Sequence, residues 1–299
     1  MERLLPTRLP FAAPSRLVLL ACAALAAGCA AAPVVPPPQP RAPAVTYEQK
    51  LGWILRLEDH RVLRDAGAPA QAAGVAALPV ADLVALLADA DPRVRRRAAQ
   101  AIGRVGLKAG ARPLEAALAA DTEPEVRQMA AFSLGLLRDP TAAPALRSAL
   151  GDEMPIVQGR AAEALGLLGD AASAELIAGL VAHIVASGEV AAIAPDDVEE
   201  THAPAVEAFR LGVLALGRLK RYEALASAVL DQQSLPRVRW WPVAAAFQRV
   251  EDRRAAYVLT AFARGESHVG RAFAARGLGA LKDPAAVETL VPLVRETHC

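Results

Sequence analysis

A frame of about 31 residues recurs along this chain and constrains its fold more than any other feature. Residues 91–106 read Asp-Pro-Arg-Val-Arg-Arg-Arg-Ala-Ala-Gln-Ala-Ile-Gly-Arg-Val-Gly, and the frame returns at 123–138 and 154–169. Val94, Val126 and Val157 are spaced by 32 and 31 residues, and Gly103, Gly135 and Gly166 repeat those intervals. A fixed period of this size marks a solenoid, in which each unit buries its apolar face only against its neighbours. Val94, Ala98, Ala101, Ile102 and Val105 fall on one face of an α-helix, and the small residues among them let the next helix approach closely. Composition agrees, because 54% of the 299 residues are hydrophobic but only 4% are aromatic, so aliphatic side chains must fill the core.

Each unit carries a second apolar segment after a turn, at Ala111–Leu118, Ala142–Leu150 and Ala172–Leu180, with Asp139-Pro140 as a helix-start signal. The period survives an interruption. Gly166 to Gly217 is 51 residues, one period of 31 plus 20, and Gly217 to Gly279 is 62, two periods with Phe247 near the midpoint. Six units follow, with an insertion near 185–203 in which Gly188, Pro195, Asp196, Asp197, Glu199 and Glu200 read as a loop ending in an acidic helix start. Upstream, Tyr47–Leu57 and Val80–Leu87 supply helices to close the first unit, with Trp53 as a cap.

The frame Asp-Pro-x-Val-Arg-x-x-Ala-Ala-x-Ala-Leu-Gly-x-Leu resembles the short bacterial HEAT-like repeats of phycobilisome lyase type over most of residues 46–299. Gln158 stands where Arg is usual and Pro242 where Ala is expected. The resemblance implies an all-α, right-handed α-solenoid of about six helix pairs. It also implies an Asp-to-Arg ladder between units, here Asp91 with Arg95 or Arg97, and a concave face lined by the second helices that binds another macromolecule.

The amino end reads as an address. Arg3, Arg8 and Arg16 precede the apolar run Leu17–Ala27, the charged and apolar regions of a secretory signal. That run is too short and too rich in Ala for a membrane span. Leu25-Ala26-Ala27-Gly28-Cys29 resembles the lipobox of bacterial lipoproteins, where cleavage falls before a cysteine acylated through its sulfur. The resemblance implies that residues 1–28 are a signal peptide and that Cys29 is the lipidated first residue of the mature chain. Ala26 stands where that family prefers Leu, and Leu19-Leu20-Ala21-Cys22 is a second, weaker match; an ordinary signal cut or an uncleaved anchor is the alternative. Six prolines within residues 33–43 favour extended polyproline II, so 29–45 read as a spacer. At about 3.1 Å per residue it reaches roughly 50 Å from a membrane. Ala30 after the cysteine resembles the pattern sorted to the outer membrane, so its periplasmic face is the expected location, with the inner membrane still open.

Charge and cysteine usage narrow the chemistry. Lys+Arg 33 against Asp+Glu 32 leaves +1, so a nucleic-acid binder built on bulk positive charge is not expected. Cys22, Cys29 and Cys299 lie at the two ends, with no Cys-x-x-Cys site for zinc or redox work. Iron-dependent deoxyhypusine hydroxylases carry His-Glu pairs on related repeats, but His60, His183, His202, His268 and His298 are followed by Arg61, Ile184, Ala203, Val269 and Cys299. His183, Asp196, Asp197, Glu199, Glu200 and His202 crowd one segment without a recurring ligand spacing, and a solvated acidic loop is expected rather than a metal site. Ser133 lacks the first glycine of a nucleophile elbow and occupies the column of Ala101 and Ala164, as a packing residue would. No catalytic residue, metal or cofactor is expected. Arg93, Arg95, Arg96, Arg97, Arg104, Lys108 and Arg112 form one basic cluster, read as ladder pairing and a solvated helix face.

Two columns sample the concave surface. Two places after each marker valine, or its equivalent counted back from the glycine, stand Arg96, Gln128, Gly159, Arg210, Trp240 and Ala272. Six places after stand Gln100, Phe132, Glu163, Leu214, Ala244 and Arg276. Their mixed polar and aromatic chemistry is that of a peptide or protein groove, with Arg96, Gln100, Phe132, Glu163, Arg210, Trp240 and Arg276 as candidate contacts. Trp240 and Trp241 cannot share a helix face. Either one is an exposed anchor, or one fills the core while the other packs beneath the inserted loop. The expected function is a lipid-anchored, non-enzymatic scaffold of the bacterial cell envelope that holds a protein or peptide partner. The alternative is the repeat region of a larger envelope enzyme, because the chain also resembles the N-terminal part of lipoproteins in which such repeats precede a cyclophilin-type prolyl isomerase domain.

Overall fold

The computed structural model describes residues 45–65 and 80–295; Cys29, the signal peptide and most of the Pro-rich spacer lie outside them. Its helices alternate between two layers. The odd set comprises α1 (Tyr47–His60), α3 (Pro92–Val105), α5 (Pro124–Leu137), α7 (Pro155–Leu168), α9 (Pro204–Leu219), α11 (Trp241–Val250) and α13 (His268–Leu281). The even set comprises α2 (Leu83–Leu86), α4 (Ala111–Ala120), α6 (Ala143–Ala149), α8 (Ala174–Ser187), α10 (Tyr222–Val229), α12 (Ala255–Ala263) and α14 (Val287–Arg295).

Local sequence sets the ends of the odd helices. Pro92, Pro124, Pro155 and Pro204 open them at the first turn, where a missing N–H costs nothing. Left-handed residues close them: Gly106 (φ 79°) and Gly169 (φ 73°), and at equivalent places Arg138, Lys220 and Lys282 with φ near 52°.

Small residues bring the odd helices into backbone contact. A methyl built on Gly135 would lie 2.9 Å from the Ala164 Cα, one on Gly166 2.9 Å from the Ala215 Cα, and one on Gly217 2.8 Å from the Ala246 Cα. Consecutive even helices, α8 with α10 excepted, touch one another far less. One layer is therefore drawn together while the other splays, and the stack bends with the odd helices on its concave side. The frame of the helix pairs also moves by half a unit. α2, α4, α6, α8 and α12 each pack more on the odd helix that follows than on the one before, giving five even–odd hairpins among the described residues, while α10 divides its packing about equally between α9 and α11. The motif helix is thus the second helix of each hairpin, and it is the one that faces the groove.

The fifth unit needs a correction of one residue. Gly217 meets Ala246, and a methyl built on Gly277 would lie 3.3 Å from the Cα of Gln248, so Gln248 fills the marker-glycine place while Phe247 is fully buried in the core. Trp241 and Ala245, rather than Trp240 and Ala244, then stand in the two columns.

The ladder between units exists with different acids from those expected. Arg95 donates to both carboxylate oxygens of Asp121 (2.7 and 2.8 Å), and Arg127 does the same to Asp152 (2.8 and 2.9 Å). Each Asp also closes the following turn by accepting a backbone N–H, from Glu123 and Met154 respectively. Burial works to raise the carboxyl pKa of both, but the Arg and N–H bonds outweigh it and hold both below the ordinary range. Asp91 instead caps its own helix and pairs with Arg93, while Arg97 turns to Glu58 and Gln100. Gln158, in the Arg column, keeps only the bond to the backbone carbonyl of Asp152 (2.7 Å).

Candidate partner-binding face

Successive helix residues turn by about 100°, so positions −1, +2, +3, +6 and +10 from each marker valine share a sector opposite the core-facing valine and leucine stripe. That sector of the odd helices is the concave surface, and its polar side chains hold one another in place. Arg96 on α3 pairs with Glu125 on α5 (3.5 Å), Glu125 accepts from Gln128 (2.7 Å), and Gln128 accepts from Arg160 on α7 (3.4 Å). Arg160 also pairs with Glu163 (2.8 Å) and lies over the Phe132 ring, 5.4 Å from its centroid. Gln100 accepts from Arg97 (2.6 Å). On α9, Arg210 makes a two-pronged pair with Glu207 (2.8 and 2.6 Å), which outweighs burial and raises the guanidinium above its ordinary pKa. Arg276 is exposed beside Phe273.

Five candidates from the columns therefore join this framework, Arg96, Gln100, Phe132, Glu163 and Arg210, with Arg276 at its far end. Trp240 does not belong. It is 1% exposed and stacks on Phe209 (6.3 Å), because the register of α11 turns it toward the core. Trp241 is the half-buried one and stacks on Phe273 (5.8 Å). Sequence columns missed Arg160 and Glu207, although both sit three residues from a named candidate at the spacing of a helical ion pair.

The insertion is a strap. The Asp197 carbonyl accepts from the indoles of both Trp240 (2.8 Å) and Trp241 (2.7 Å), and the Pro195 carbonyl accepts from the Trp241 backbone (3.0 Å). Asp196 reaches the start of α13, accepting from the Ser267 hydroxyl and from the N–H groups of His268 (2.8 Å) and Val269 (3.0 Å). Burial opposes its ionisation, but those three donors prevail and hold its pKa below the usual value. Asp197 keeps its carboxylate on His202 (3.0 Å), and His183 points to solvent on α8. Among the described residues no three His, Cys, Asp or Glu gather as a metal site would require. A cleft of about 120 Å³ beside the strap, lined by Pro195, Arg239, Phe262 and Glu266, is too small for a typical substrate. No described helix is long and apolar enough to cross a membrane.

Two family descriptions match parts of the chain. Residues 111–193 match the description "HEAT repeats", and residues 270–296 match "PBS lyase HEAT-like repeat". The chain carries HEAT repeats. Among solved structures, the HEAT-repeat body is similar to the CpcE–CpcF complex of phycocyanin lyase from Nostoc sp. PCC7120, at 25% identity and TM-score 0.47, covering 74% of this chain and 83% of that one. It is also similar to an engineered protein (18% identity, TM-score 0.42, 67% and 95% covered) and to human deoxyhypusine hydroxylase in complex with glycerol (20%, 0.36, 72% and 78%). No curated protein sequence matches the chain significantly.

Proposed function

We propose that this chain is a non-catalytic scaffold whose concave face holds a protein or peptide segment, and that acylation of Cys29 tethers it to the bacterial envelope, at the periplasmic face of the outer membrane. The observation that carries the reading is the row of half-exposed polar and aromatic side chains on α3–α9, already fixed by pairs such as Arg160–Glu163 and Arg210–Glu207. A surface ordered before contact loses little side-chain entropy on binding, and a mixed polar and aromatic groove suits a peptide better than a reacting small molecule. The Pro-rich segment 33–43 serves as the spacer between lipid and groove.

Photo-crosslinking residues placed at Gln100 and Phe132, with Ala119 on the even-helix layer as control, test the groove in the bacterium. Crosslinks from 100 and 132 but not 119 are expected; equal labelling from all three overturns the concave-face assignment. Intact mass and detergent partitioning of wild type against Cys29→Ala test the tether. Loss of residues 1–28 with added acyl mass is expected only in wild type, and a soluble, full-length, unacylated wild type overturns it.

A further inference from the structure

The arginines on α1, α3, α5 and α7 all have acidic partners: Arg56, Arg93, Arg95, Arg96, Arg97, Arg104, Arg127 and Arg160 each lie within 4.0 Å of a carboxylate. The C-terminal half of the groove breaks this rule. Arg218 on α9 and Arg249 on α11 make no hydrogen bond or ion pair among the described residues, although Arg218 is only partly exposed. With Gln248 in the marker place, the two occupy the same position, one past the marker, on adjacent odd helices. Gly217 and Ala246, where those helices touch, lie one residue before Arg218 and three before Arg249.

Burial first, and then Arg249 and Arg210, depress the Arg218 guanidinium, while Glu163 works in the other direction. Glu163 is already engaged by Arg160 at 2.8 Å. Arg210, itself a cation that adds to the repulsion, is held in place by Glu207. Both free arginines sit near helix C-termini, where the dipole favours a cation, but neither makes a bond there. Two fork-shaped donors at equivalent places on adjacent helices, Arg218 partly desolvated and Arg249 exposed, with no acid of the described residues bonded to either, match the oxygens of a carboxylate.

We propose that Arg218 and Arg249 form an anion clamp on the concave face that takes the carboxylate side chains of an acidic peptide segment. This assignment rests on the groove reading above and specifies its partner: a segment rich in Asp or Glu, anchored at the C-terminal half of the groove.

Fluorescence anisotropy of the full chain with a labelled Glu-Gly repeat peptide and its Gln-Gly counterpart tests the clamp. The Glu peptide is expected to bind at least about tenfold more tightly, a difference that one charge-assisted contact supplies. Arg218→Gln and Arg249→Gln should each weaken it roughly fivefold, by the same contact energies, and together abolish the preference. Arg112→Gln, an exposed and unpaired site on α4, should leave it unchanged. Neither clamp arginine makes a hydrogen bond or ion pair among the described residues, so circular dichroism should show the variants folded. Undiminished binding by the double variant, no preference for Glu over Gln, or stronger Arg218-dependent binding of inorganic phosphate or phosphatidylglycerol vesicles each overturns the clamp. Crosslinks from Gln100 that persist in a double variant lacking the Glu preference keep the groove and confirm the acid requirement for peptides. Clamp-dependent peptide binding without crosslinks from Gln100 or Phe132 sinks the groove reading alone.

Discussion

Ser133 buries a hydroxyl that finds no partner, in a column where Ala164, Ala215 and Ala246 need none. An unsatisfied buried hydroxyl costs of order 1 kcal/mol or more, so Ser133→Ala should raise stability by about 1 kcal/mol, read as a higher urea midpoint at unchanged slope. Arg127 predicts the reverse. It is 9% exposed and ties α5 to Asp152, and truncation would strand a largely buried carboxylate. Arg127→Ala should lower stability by about 3 kcal/mol in the same assay. Gly159 tests the helix approach, since a Cβ there would lie 2.6 Å from the Ala208 backbone. Gly159→Val should cost roughly 1–3 kcal/mol through forced separation of α7 and α9, and a variant as stable as wild type would refute the close contact. These sites were unequally legible. The small column at Ser133 followed from the repeat, whereas Arg127 pointed to no particular acid, because its partner lies 25 residues on and Asp is frequent in the loops.

At the level of elements, the strap and the ladder share a pH dependence. Asp121, Asp152 and Asp196 all have folded pKa values below the ordinary carboxylate value. A depressed folded pKa contributes stability that is complete above the unfolded value, about 3.9, and disappears as pH falls through the lower folded value. Urea midpoints should therefore fall steeply below about pH 4, and the fall should shrink in Asp196→Asn if this carboxylate carries its share. The odd helices were readable because Val, Ala and Gly recur with the period. α11 was not read in register, because Gln248 replaces the marker glycine and the bulky Phe247 beside it drew the frame one residue back. The same shift of frame hides which of its two tryptophans faces the core. The strap was invisible as such: Asp196 finds its donors 71–73 residues away, and nothing local distinguishes it from a solvated acidic loop.

Across the whole molecule, a solenoid normally couples only neighbours, so its units can open one at a time from either end. Here the strap, from the segment before α9, bonds both the start of α11 and the first turn of α13, and makes one contact network of three consecutive odd helices. Hydrogen exchange should show α9, α11 and α13 opening together, with α3 and α5 opening separately. Asp196→Ala should release α13 to exchange on its own; unchanged cooperativity there would show that packing alone binds the three.

Mechanically, such an array is a spring whose compliance lies in the joints between hairpins. A tie that spans two joints stiffens both. Under tension from a bound partner, the half carrying α3–α7 would lengthen while the half carrying Arg218 and Arg249 would move as a block. The spacing of those two guanidiniums would then stay constant while the rest of the groove adjusts its pitch to whatever lies in it.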